Sequence, residues 1–228
     1  MMQHQIDKKK LLIYVIFFLV LSTLNNITIN NFNLVKISKI EVSGLNNEDN
    51  LYILNQLKFL KLESIFFLNK ENIIDTIKKN NLVENFYIKK KYPSSLDVKL
   101  NKTKFLANIE LNGNRFFVGS NGKLIKTDYL NNDLPYLSES TSIDEFLYFN
   151  KVIKKSIFDY NQISNIYFFP SKRWDIKTKK EILIKLPIEN INEALKNAHY
   201  IVNDKKFLNI KHIDLRIENQ IILNDKKK

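Results

Sequence analysis

The residues that usually carry chemistry are few in this chain, and their spacing argues mostly against it. Three histidines, His4, His199 and His212, lie far apart, and none has the HxxxH or HExxH companion that places two zinc ligands on one helix face. There is no cysteine, which removes disulfides, thiolate metal sites and a cysteine nucleophile together. The four glycines, Gly44, Gly113, Gly119 and Gly122, form neither GxGxxG nor GxxxxGK[ST], so no loop offers successive backbone N–H groups to a phosphate. The serines and carboxylates are scattered, and nothing marks a nucleophile, base and orienting group as one unit. The expectation is a protein with no catalytic residue, no metal and no cofactor.

Arginine is the informative residue. Of 36 lysines and arginines only Arg115, Arg173 and Arg216 are arginine, and an arginine in a chain that writes its other cations as lysine suggests a site wanting a planar, bidentate fork. Arg173 stands beside Trp174, the sole tryptophan, which is expected as a packing residue. Asp214 and Arg216 share a strand face two residues apart and can pair with each other. The formal charge of +12 fits an anionic partner, but lysine, asparagine, isoleucine and phenylalanine are abundant together while alanine and glycine are scarce. An AT-rich coding sequence produces that bias without a ligand, so the charge is given little weight.

These residues have to be positioned by something, and the chain of 228 residues, 44% apolar, is long and apolar enough for one domain or two small ones. After Lys8, Lys9 and Lys10 the run from Leu11 to Ile29 carries no charge, which suits a single membrane helix, although its most apolar part is short for a hydrocarbon core ~30 Å thick. A basic head and an apolar run also describe a cleaved signal peptide. The absence of Ala-x-Ala favours an anchor over residues 11–29. The lysines then stay in the cytoplasm as residues 1–10, and the rest of the chain is exported. Residues 1–30 hold three lysines and one aspartate, a net +2, which leaves +10 on the exported part. That topology excludes a nucleic-acid partner.

From residue 34 to 103 the pattern is strand, helix, helix, strand, strand. Ile37, Ile40 and Val42, with Ser38, Lys39 and Glu41 between them, read as a short strand up to Gly44; Leu51, Leu54, Leu57 and Phe59 follow near helical spacing; Asn69 caps a helix bearing Ile73, Ile74 and Ile77. Val83 to Lys91 and Leu96 to Leu100 are expected as a hairpin about Tyr92-Pro93-Ser94-Ser95, read as a type I turn. Residues 104–224 are rich in short strands, with turns at Asn112-Gly113-Asn114 and Ser120-Asn121-Gly122. Asp133 to Leu137 reads as a rigid exit. Ser142 and Glu145 form an expected capping box for a third helix, and Ile191 to Val202 a fourth. The final strand is expected over Ile213 to about Leu223, and 225–228 is a basic tail. The fold class is α+β: one N-terminal transmembrane helix, a βααββ domain, then a strand-rich domain with flanking helices.

This organisation resembles the FtsQ/DivIB cell-division proteins, whose exported part is a POTRA domain followed by a β domain. The resemblance rests on Ile40-Glu41-Val42-Ser43-Gly44, Tyr92-Pro93-Ser94-Ser95-Leu96, Phe105-Leu106-Ala107, Asn121-Gly122 and Leu134-Pro135. The more specific stretches are Ser171-Lys172-Arg173-Trp174-Asp175-Ile176, Ile184-Lys185-Leu186-Pro187 and Ile213-Asp214-Leu215-Arg216. It implies a non-enzymatic, single-pass scaffold of the divisome, in the bacterial inner membrane at the septum, with its bulk in the periplasm. Its partners would be other division membrane proteins, FtsB and FtsL, with no small-molecule substrate. The alternatives are a POTRA-bearing secretion or assembly component, for which the chain has no carboxyl-terminal barrel, and an anchored periplasmic enzyme. The expected partner-binding residues are Ile217, Asn219, Gln220, Ile221 and Ile222, on a terminal strand that offers an open edge, with Arg173 as a rim contact for an acidic partner segment.

Overall fold

The computed structural model describes residues 8–23, 35–218 and 220–225. Helix α1 (Lys8–Thr23) spans 16 residues, a rise of roughly 24 Å. Among the described residues no helix is long and apolar enough to cross a membrane, and residues 24–29 of the expected anchor lie outside the description. The chain divides into two compact units.

The first unit is built on a three-stranded sheet, β1 (Lys39–Ser43), β2 (Val83–Lys91) and β3 (Ser95–Lys102), in the order β1-β3-β2. β1 runs parallel to β3, with Ile40 opposite Leu96 and Val42 opposite Val98. Helices α2 (Asn47–Gln56) and α3 (Lys70–Lys78), with a 3-10 segment Lys58–Leu62 between them, contribute Ile53, Leu57, Leu60, Ile73 and Ile77 to the core. The buried stripe that begins on α2 is therefore Ile53, Leu57 and Leu60. The expected Leu51 and Phe59 are exposed; Asn46 caps the helix, its side chain accepting from the Asp49 N–H at 2.8 Å, and Phe59 lies past its end, in the 3-10 segment. Asn69 caps α3 as expected, accepting from the Glu71 N–H at 2.9 Å. The Tyr92–Pro93 bond is cis, which a type I turn does not contain.

Gly44 ends β1 at φ +114°, and a Cβ there would lie 1.8 Å from the Leu100 carbonyl oxygen. The β3 backbone occupies the space that any side chain would need, which gives the glycine of the Ile40–Gly44 stretch its physical reason.

The second unit carries a nine-stranded sheet in the order β12-β11-β10-β9-β8-β7-β4-β5-β6. Its strands are β4 (Phe105–Leu111), β5 (Asn114–Gly119), β6 (Leu124–Lys126), β7 (Tyr136–Leu137), β8 (Ile163–Phe168), β9 (Trp174–Thr178), β10 (Leu183–Lys185), β11 (Ile210–Asp214) and β12 (Ile222–Asp225). The β4–β5 turn has Asn112 and Gly113 both at positive φ, as a two-residue primed hairpin requires. The exit after Leu134-Pro135 is more than a connection. Its last two residues form β7 at the sheet centre, parallel to both β4 and β8, and Asn108 holds the approach to it, donating to the carbonyls of Asn131 at 2.8 Å and Leu134 at 3.0 Å.

Helices α4 (Ile143–Lys155) and α5 (Ile191–Asn203) cover one face of this sheet. Phe146, Phe149 and Ile153 of α4 and Ala194, Leu195 and Ala198 of α5 join Ile166, Ile176, Ile184 and Ile213 in one buried cluster. Trp174 is a packing residue, its ring stacked on Phe149 with centroids 4.4 Å apart. The expected capping box does not form: Ser142 precedes α4 without a side-chain hydrogen bond to it.

Candidate partner-binding site

Three loops at one end of β9, β10 and β11 surround a cavity of about 730 Å³. Each places its residues for a local reason. The β8–β9 loop turns at Lys172, φ +60°, and delivers Ser171 and Arg173. The β10–α5 loop leaves the sheet at Pro187, which has no N–H to continue a ladder, and supplies Ile188, Glu189 and Asn190 ahead of Glu193, Ala194 and Asn197 on α5. The β11–β12 loop adds Leu215, Arg216, Ile217, Glu218, Gln220 and Ile221.

The third loop corrects the expectation of one strand from Ile213 to Leu223. β11 stops at Asp214, and the chain resumes as β12 at Ile222, antiparallel to β11, with Ile213 opposite Leu223 and Asp214 opposite Ile222. The break has a side-chain cause. The Asp214 carboxylate accepts the Arg216 N–H at 3.1 Å, a local turn that competes with the sheet ladder. The Arg216 guanidinium then forks back onto the same carboxylate, with Nε 2.8 and 3.0 Å from its two oxygens.

Arg173 makes a parallel arrangement on β9. Its Nε donates to Asp175 Oδ1 at 3.1 Å, and its guanidinium lies 4.3 Å above the Phe169 ring centroid, a cation–π contact. Lys185 of β10 stands between the two pairs, opposite Asp175 on one side and Asp214 on the other. Positive and negative groups therefore alternate across three strands on the face away from the helices. The two aspartates titrate oppositely. Burial pushes the Asp175 carboxyl up, against the pull of Arg173. The Arg216 fork holds Asp214 below the usual carboxylate range.

Of the sequence-predicted site residues, Arg173, Ile217, Gln220 and Ile221 line this cavity. Ile222 does not. It begins β12 on the face opposite the helices, in line with Asp214, while its neighbour Leu223 turns inward against the core. Ile217, Ile221 and Ile222 are 46–51% exposed. Asn219 lies outside the described residues. β12 ends the strand order, and among the described residues no strand pairs with its outer side. Among the cavity walls outside the expected partner-binding set are Arg216, Glu189, Glu193 and Asn197. The scarcity of arginine was a signal for the first; the others become neighbours only when α5 packs. His199 contacts Asn203, one turn on in its own helix, at 3.2 Å, a helix-flank role. Among the described residues no three acidic or imidazole side chains are grouped to hold a metal.

Residues 35–102 match the family model for the POTRA domain, FtsQ-type, and residues 107–216 match that for cell division protein FtsQ/DivIB, C-terminal. A cell division protein FtsQ of Rickettsia bellii is 28% identical over 190 residues, covering 81% of this chain and 70% of that one. One from Rickettsia felis is 27% identical with the same coverage. A solved structure, the major extracytoplasmic domain of the trans isomer of DivIB from Geobacillus stearothermophilus, is 16% identical and covers 45% of this chain and 91% of that one, at a TM-score of 0.35. The family matches follow the two units in order and take in Gly44, the Arg173 loop and the Asp214–Arg216 pair, and so the chain belongs to the FtsQ/DivIB family of cell-division proteins, a family without enzymatic activity.

Proposed function

We propose that this chain is a bitopic scaffold of the divisome, held in the inner membrane at the septum by one helix over residues 11–29 and binding other single-pass division proteins through its periplasmic domains. The observation that carries the binding mode is the outer side of β12, with which no strand pairs among the described residues, beside the arginine-walled cavity. An added strand would take main-chain hydrogen bonds from β12, and the exposed Ile222 would give it an apolar contact. Arg173 and Arg216 each already hold an aspartate, so an acidic partner residue would share those forks, setting orientation and on-rate more than affinity. The partner that suits this mode is FtsB, with FtsL alongside it.

The test is amide hydrogen exchange on the purified full-length chain with and without the partner's periplasmic segment. Residues 222–225 should exchange more slowly in the complex. Binding with unchanged exchange there would defeat the edge-strand mechanism while leaving the scaffold role intact.

A further inference from the structure

The first unit carries an apolar surface that the partner site does not use. Leu62, Phe66, Phe67 and Tyr92 are 50–73% exposed, although the first three border residues buried completely, Leu60 and Ile65. Two segments bring them together. Phe66 and Tyr92 lie with ring centroids 5.5 Å apart, and Lys90 Nζ donates to the Phe66 carbonyl at 3.4 Å. Lys61, exposed, adjoins Leu62, and Lys36, also exposed, stands on a third stretch that bonds to residues 63–65.

The position of this surface along the chain says what would cover it. The segment 63–65 is bonded to the first described residues after the apolar run: the Ile65 N–H donates to the Val35 carbonyl at 3.2 Å, the Ile37 N–H donates to the Glu63 carbonyl at 3.1 Å, and Lys36 bridges Ser64. From residue 29 to residue 35 the chain reaches at most about 20 Å. A bilayer holding residues 11–29 is therefore within reach of Phe66 and Phe67. Aromatic and leucine side chains bordered by lysines suit the headgroup layer, where the rings enter the acyl boundary and the ammonium groups meet anionic phosphates.

We propose that Leu62, Phe66, Phe67 and Tyr92, with Lys36, Lys61 and Lys90, form a membrane-docking surface that lays this end of the first unit on an anionic lipid headgroup layer. The proposal rests on the anchored reading of residues 11–29. It gives the first unit a fixed height and orientation above the bilayer.

The absence of native cysteine makes the test direct. Single variants Phe67→Cys and Glu48→Cys of the full-length chain carry an environment-sensitive dye and are reconstituted, with no other protein, into vesicles of phosphatidylcholine and phosphatidylglycerol holding a headgroup spin label. Glu48 is the control, since it is exposed and follows β1, whose five residues lead away from Lys36 by about 16 Å. The dye at 67 should be quenched and blue-shifted and the dye at 48 should not. Changing Lys36 and Lys61 to Gln together should lower the docked-to-undocked ratio roughly tenfold or more. Equal quenching at 67 and 48 in chains that stay in the vesicles overturns the docking surface and leaves the anchor standing. Release of the chain by carbonate overturns the anchor and the surface with it. A dye at 67 that is shielded in cell envelopes but not in the protein-free vesicles assigns the patch to a protein partner, and overturns the lipid assignment.

Discussion

Arg216 closes its guanidinium on Asp214, two residues before it, with Nε 2.8 and 3.0 Å from the two carboxylate oxygens. That pair ends β11 and opens the loop that walls the candidate site. Its electrostatics give a pH signature. The Asp214 carboxyl is held below its ordinary value chiefly by the Arg216 hydrogen bonds, so its contribution to stability is present above the unfolded carboxylate pKa and is lost as pH falls through that value towards the lower folded one. Asp214→Asn should cost about 1 kcal/mol at neutral pH, the side chain of Arg216 being partly exposed. The variant and the parent should converge in chemical denaturation at acid pH. An equal gap at both would show that the pair acts through packing alone.

Asp175 should behave in the opposite sense. Burial raises its folded pKa, so the ionised carboxylate works against the fold, and this cost grows as pH rises from the unfolded value through the folded one. Titration by carbon-detected NMR should find Asp175 above the usual carboxylate range and Asp214 below it. A reversed order would contradict the assignment of the two arginine forks.

The two turn glycines separate steric need from backbone need. Gly44→Ala meets both a positive φ and the Leu100 carbonyl, and should destabilise the first unit by about 3 kcal/mol. Gly113→Ala has a positive φ but open space around its Cβ position, and should cost about 1 kcal/mol. Thermal unfolding of both variants measures this, and a Gly44→Ala chain as stable as Gly113→Ala would refute the close approach to Leu100.

Trp174, stacked on Phe149 in the core, should report folding and not binding. Its fluorescence should shift to the red on unfolding and stay unchanged on partner capture. Trp174→Ala should destabilise by about 3–5 kcal/mol, while Trp174→Phe keeps the capture of partner intact in a pull-down from solubilised membranes.

For the edge mechanism the informative substitution is Ile222→Asp. The side chain points away from the core, so the fold should survive by circular dichroism, while capture should weaken roughly tenfold or more because a charge replaces an apolar hot-spot side chain. The same change at Leu208, exposed but outside both the cavity wall and β12, should leave capture unaltered. Equal capture by Ile222→Asp and the parent would remove Ile222 from the interface.

The sequence by itself determined what local chemistry can encode. The alternation of Ile40 and Val42, the primed turn at Asn112-Gly113 and the Asn69 cap are short-range signals, and each accompanies the element it suggested. The scarcity of arginine likewise singles out Arg115, Arg173 and Arg216 from the amino-acid types alone, and the last two wall the cavity. Only the tertiary structure decided that Tyr136 and Leu137 form a strand, since two residues carry no readable period and become a strand by pairing with β4 and β8 on either side. It also decided that the run after Ile213 is two strands and a loop. Apolar alternation is the same for a strand that continues and for one that folds back on itself. The difference lies in a single carboxylate, Asp214, whose oxygens accept from both the Arg216 backbone and its guanidinium. Once that turn is made, Ile217, Gln220 and Ile221 leave the sheet, meet Glu189, Glu193 and Asn197 from α5 and the loop before it, and leave β12 as the edge.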